Sequence, residues 1–162
     1  MNLRALPEEG SHGTLATYGF DSFECGVLSV ARYFLSSFDA PVQQGWQMAF
    51  GIAVERWGQE IGLPAAFAIL KLVRSICDVR ANFIYQDPSC PLARARVSQD
   101  EVLMMRMLHH MRREETSDAR NCVDALTCGL MDPHVIRAGL TVATRFGGGT
   151  HIRQKPTLTV VA

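Results

Sequence analysis

The sequence predicts an all-α protein: a single-domain bundle of about six helices, with an extended N-terminal arm and a flexible, Gly-rich C-terminal tail. Three observations carry this expectation. Apolar residues recur at spacings of three and four through most of the chain. The connections between these stretches are short and marked by capping residues, proline or glycine. No series of alternating apolar and polar residues is present that would build a sheet. With 162 residues, 48% of them apolar and 20% charged, the chain is long enough for one continuous core and lacks the composition of a disordered protein. The expected divisions are an arm over residues 1–20, a helical domain over 21–146 and a tail over 147–162.

Each element has its own signal. Residues 1–20 carry Pro7 and three glycines with little periodicity, and read as the arm. From Asp21 onward Phe23, Val27, Val30, Phe34 and Phe38 follow helical spacing, with Asp21 or Ser22 as the cap and Asp39-Ala40-Pro41 as the stop. A second helix is expected from Pro41 to Ile61, with Trp46, Phe50, Ala53, Trp57 and Ile61 on one face. Gly51 and Gly58 fall on nearly the same face of it and suggest close approach by a neighbouring helix. Gly62 suits the left-handed position after a helix and Pro64 the first turn of a third helix, expected from Pro64 to Phe83. Ala66, Leu70, Val73, Cys77, Ala81 and Ile84 form its apolar face, while Lys71, Arg74 and Asp78 form a polar strip.

Tyr85 to Pro91, with two prolines, reads as a loop. Ser98 and Glu101 match a capping box that opens a fourth helix reaching Arg113. A break at Glu114-Glu115-Thr116 leads to a fifth helix that turns Ala119, Cys122, Val123, Leu126 and Leu130 inward and closes at Gly129. Asp132-Pro133 starts a sixth, which carries Val135, Ile136, Leu140 and Ala143 to the neighbourhood of Phe146. Beyond it, Gly147-Gly148-Gly149 reads as a flexible joint and residues 157–161 as an extended piece.

Charge narrows the function classes only a little. The 16 acidic and 16 basic side chains cancel, which gives no global attraction to nucleic acid or to an anionic membrane. The five cysteines are odd in number and hold no C-x-x-C pair, and the N-terminus has no apolar signal core, so reduced thiols and a cytoplasmic location are expected. The longest apolar runs fall well short of the ~20 residues that span a bilayer, and no membrane partner is expected.

Helix four holds the most conspicuous cluster. Met104, Met107, Leu108 and Met111 share one face and read as a core stripe. His109 and His110 flank the polar side about 100° apart, so they diverge; a helical metal pair uses a spacing of three or four. The functional alternative is metal or haem ligation by one histidine with residues from other helices. No cofactor is predicted, and a metal or haem is left open. Cys90 stands in a proline-flanked loop near Arg94 and Arg96, a setting that lowers a thiol pKa and makes it a redox candidate. Cys122 and Cys128 point about 240° apart on one helix and cannot chelate together, and Cys122 and Cys77 read as small buried hydrophobes.

Two further patterns bear on partners. Trp46 and Trp57, eleven residues apart, share one side of helix two and are the candidate anchors of a subunit interface. The stretch from Asn121 to Leu140 fits a helix-turn-helix at Ala125, Gly129, Leu130, Val135 and Ala138, but Asp124 takes a place that is usually apolar. In that reading Arg137, with Arg153 and Lys155 of the tail, would contact nucleic acid. No G-x-S-x-G, P-loop, Rossmann glycine pattern or H-E-x-x-H is present, so the residues give no reason to expect an enzyme. The expectation is a non-catalytic regulatory or protein-interaction domain, homodimeric, whose partner is itself or another protein. The alternatives are a small-ligand, metal or haem sensor using Cys90, His109 and His110, and a DNA-binding regulator.

Overall fold

The computed structural model describes residues 4–6 and 13–147; the expected tail, with Arg153 and Lys155, lies outside the described residues. Six α-helices make up the described chain: α1 (Ser22–Asp39), α2 (Gly45–Trp57), α3 (Gln59–Val79), α4 (Gln99–Arg112), α5 (Thr116–Leu126) and α6 (Pro133–Arg145). The all-α bundle is the observed architecture. α1 lies against α2, α3 and α4; α6 lies between α3 and α4, and α5 covers α4. The core runs through their shared interior, from Val27, Leu28 and Phe34 of α1 to Ile69 and Leu72 of α3 and Met104, Met105, Met107 and Leu108 of α4. No helix among the described residues is long and apolar enough to cross a membrane.

α1 begins where a reciprocal cap forms. The Asp21 carboxylate accepts the Glu24 amide at 2.8 Å, and the Glu24 carboxylate accepts the Asp21 amide at 3.0 Å. Its apolar positions then bury one broad face. The boundary between α2 and α3 falls earlier than the sequence suggests. α2 starts at Gly45, after a short 3₁₀ turn at Pro41–Gln43, and stops at Trp57 because Gly58 takes φ 77°, a left-handed value open to glycine. α3 therefore starts at Gln59, and both Gly62 and Pro64 lie within it. Gly62 is no terminator: it is buried where the α3 backbone meets the backbone of Ala53 and Val54, with no room for a Cβ. Pro64 is tolerated because it is solvent-exposed and within two turns of the helix start. Gly51 faces open space, so the close helix approach expected of Gly51 and Gly58 occurs at Gly62 instead.

α3 also ends early, at Val79, because Arg80 is extended at φ −111° and ψ 100°. Ile84–Gln86, expected as helix end and loop, form a short strand, β2, which pairs in parallel with β1 (Arg4–Leu6) in the register Arg4↔Ile84, Ala5↔Tyr85 and Leu6↔Gln86. The N-terminal arm thus supplies a strand, and also a 3₁₀ turn at Leu15–Tyr18. The start of α4 makes the strand. Asp100 accepts the Ile84 amide at 2.7 Å, Glu101 accepts the Gln86 amide at 3.0 Å, and Ser98 donates its hydroxyl to the Ile84 carbonyl at 2.6 Å. Sequence periodicity has no access to pairings of this kind.

The capping box of Ser98 and Glu101 forms as expected. α5 closes through the Gly129 amide, which donates to the Asp124 carbonyl at 2.8 Å. The turn to α6 takes left-handed backbone at Cys128, Gly129 and Met131. That turn throws Leu130 outward, 67% exposed, against the expectation that it faces the core; Leu140 of α6 is about half exposed. Asp132 caps α6 by accepting the amides of His134 and Val135.

Candidate functional sites around α6

Two buried charge networks set the frame. Glu101 is fully buried and accepts the Arg32 guanidinium at 2.7 and 3.0 Å, together with the amides of Gln86 and Ser98. Arg32 also donates to the carbonyls of Arg94 and Arg96, so every side of this pair is hydrogen-bonded. The second network joins the start of α1 to the end of α4. Glu24 receives Arg112 Nη1 at 2.6 Å and Arg113 Nη1 at 2.7 Å, and His109 Nδ1 lies 3.0 Å from its other oxygen. Burial alone would raise the Glu24 pKa. The hydrogen bonds from His109, Arg113 and the Asp21 amide, with the Arg113 charge, prevail and hold it at about 2. The histidine at 109, read from sequence as part of a solvated face, is half-buried in this network and edge-on to Phe20.

His110 goes elsewhere. The chain turns at Glu114, which takes φ 59°, and the Glu115 amide donates back to the His110 carbonyl at 2.9 Å. That turn brings the side chains together, with His110 Nδ1 at 2.5 Å from Glu115 Oε2. Asp118, one helical turn beyond Glu115, joins them: one ligand atom from each of His110, Glu115 and Asp118 lies within 4.8 Å of the other two. Among the described residues this is the one group of three such side chains that converges. The His110 ring packs edge-on against that of His109 at 5.4 Å. His110 and Glu115 also line a cavity of about 620 Å³ between α4, α5 and α6, whose other walls are mostly apolar: Met111, Val123, Met131, Ile136 and Leu140. Cys90, the third residue of the expected metal or ligand set, is not in this group. It is half-buried and precedes a 3₁₀ turn at Pro91–Ala93. Cys77 and Cys122 are buried as expected, and burial pushes the Cys77 thiol up to about 12.

The opposite side of α6 forms a second cavity, of about 640 Å³, with the end of α1 and the middle of α3. Phe38, Ala68, Leu70 and Ala138 make it apolar, and Lys71, Arg74, His134 and Arg137 line it with positive or titratable nitrogen; no carboxylate lines it among the described residues. Lys71 lies over the Phe67 ring at 5.1 Å and Arg74 over the Phe38 ring at 5.9 Å. Arg74 also pairs with Asp78 at 3.1 Å, both side chains being more than half exposed. Arg137, expected as a nucleic-acid contact, is exposed and belongs to this cavity.

The two tryptophans separate. Trp57 packs on Phe23 at a centroid distance of 4.9 Å and lies over Gly26, where a Cβ would be 2.6 Å from its ring. Trp46, by contrast, is 49% exposed, and Val42 and Met48, near it in sequence, are exposed as well. Sequence reasoning named His110 and Arg137 but missed Glu115, Asp118, Lys71 and His134 as their companions. The i, i+3 relation of Glu115 to Asp118 was available in the sequence. The turn that returns Glu115 to His110, and the packing of α6 on α3, were not.

No protein-family model matches this chain, and neither a curated protein nor a solved structure matches it.

Proposed function

We propose that this chain is a non-catalytic regulatory domain that binds a small anionic molecule in the cavity between α1, α3 and α6. The observation that carries this reading is the lining itself: three permanent cations and a histidine surround a concave, otherwise apolar space, with no carboxylate among them. Cations gathered in one cleft repel one another and raise the local concentration of anions. Asp78 is held by Arg74 in an exposed i, i+4 pair, worth a few tenths of a kcal/mol and readily exchanged for a ligand. The volume is in the range of small-molecule sites. The ligand class that fits is a phosphate or carboxylate compound with an apolar portion.

An anionic naphthalene sulfonate dye tests the idea, with displacement by phosphorylated and carboxylated compounds. Dye binding that weakens tenfold or more in both Lys71→Ala and Arg137→Ala is expected, since a hydrogen bond to a charged group is worth ~1.5–3 kcal/mol. Equal binding by the wild type and the double variant would sink the proposal.

A second reading, a homodimer that works by protein interaction, is supported by a different observation. Val42, Trp46 and Met48 leave large apolar area on the outside of α2 and the turn before it.

A further inference from the structure

We propose that His110, Glu115 and Asp118 form a binding site for a first-row divalent transition cation, of which zinc is the representative, at the mouth of the cavity between α4, α5 and α6. The convergence is the starting point: three side chains able to ligate, drawn from two helices and the turn between them, each offer one atom within 4.8 Å of the others. Ligands of a tetrahedral ion, each ~2.0–2.2 Å from it, lie a little over 3 Å apart, so modest rotamer adjustment closes the set.

The group has more than acidic residues to recommend it. The imidazole selects against calcium and magnesium, which take oxygen donors, and in favour of zinc and its neighbours. Its ring is also held in place from behind. His109 packs edge-on against it, and His109 is itself fixed by buried Glu24, which two arginines hold in turn. Metal sites depend on such outer contacts to orient their ligands. On the acidic side, Glu115 and Asp118 bring two carboxylates within the same 4.8 Å, and Asp118 has no hydrogen-bond or ion-pair partner among the described residues. A divalent ion would bind both carboxylates and the imidazole at once. The main-chain bond from the Glu115 amide to the His110 carbonyl keeps the first two ligands together without any ion.

Three protein ligands leave at least one coordination position open. The cavity reaches His110 and Glu115, so an ion held by them stands at its wall, next to Met111 and Val123. This site lies on the other side of α6 from the anion cavity and shares no residue with it. The two proposals therefore stand or fall separately.

The test uses the full chain without a polyhistidine tag. Zinc chloride is titrated against a chromophoric chelator, and cobalt or manganese is used for paramagnetic broadening of amide NMR signals. The expected result is one zinc per chain, with affinity at least tenfold weaker in Asp118→Asn and in His110→Gln and unchanged in His134→Gln. In the unaltered chain, broadening should centre on residues 110, 115 and 118, a readout that does not depend on any variant folding. Zinc binding that survives the double variant Asp118→Asn/His110→Gln would overturn the proposal. So would broadening centred elsewhere, or no binding at millimolar zinc.

Discussion

Glu24 illustrates how one residue acquires two duties. Locally it completes the capping box with Asp21, a relation of three residues that sequence spacing can carry. Its other partners, Arg112 and Arg113, are 88 and 89 residues away, and only the fold delivers them. A carboxylate buried to this degree is stable only while those cations stay. Glu24→Gln should lower the free energy of unfolding by about 3 kcal/mol, because it leaves Arg112 and Arg113 short of their counter-charge. Since the Glu24 pKa lies at about 2 in the folded chain, below its ordinary 4.5, its contribution is complete above pH 4.5 and is lost as pH falls through about 2. Chemical denaturation across pH 2 to 6 checks both statements. A Glu24→Gln curve with the same acid slope as the unaltered chain would contradict them. Glu101 likewise joins a local cap to Ser98, legible in advance, with a distant partner, Arg32, 69 residues away, that only the fold delivers.

At the scale of elements, the helices were more legible than their ends. Apolar periodicity and caps placed α1, α4 and α6 well, because these signals are confined to a few residues. Gly62 and Pro64, by contrast, resemble a stop and a start although both lie inside α3. Glycine at a helix interior has two opposite meanings, and only the neighbouring backbone decides between them. Gly62→Ala should cost about 1–3 kcal/mol, since the added methyl meets the Ala53 backbone, which cannot retreat without separating α2 from α3. Gly51→Ala, in open space, should instead stabilise by up to about 1 kcal/mol. Urea denaturation of the two variants checks this, and effects of the same sign would refute the assignment. The short strand β2 was missed for a related reason: its hydrogen-bond partners are the cap residues of α4 and a strand from the N-terminal arm.

At the scale of the whole molecule, α6 divides the surface chemically. Positions 134, 137 and 138 face a cationic cavity, while 136 and 140 face one edged by His110 and Glu115. α2 and the turn before it expose three large apolar side chains, Val42, Trp46 and Met48. If that group joins two copies, light scattering should give twice the 17.9 kDa chain mass, and Trp46→Glu should return the protein to a monomer. A strict monomer at high concentration would count against the dimer. Trp57 is the wrong position for this test, since it anchors α2 to Phe23 and Gly26 inside the same chain.

What the sequence determined by itself was the all-α bundle: its six helices, the caps at Asp21, Ser98 and Asp132 and the buried methionine face of α4. Those properties depend on residues three and four apart, which the chain holds together whatever else happens. The tertiary structure alone decided where the charges go. His109 and His110, adjacent in sequence, were separated into a buried ion network and an open cluster with Glu115 and Asp118. Arg137 was gathered with Lys71 and Arg74 from a helix some sixty residues earlier. Electrostatic partners act through space, over distances that the packing of α1, α3, α4 and α6 sets and that no local pattern records.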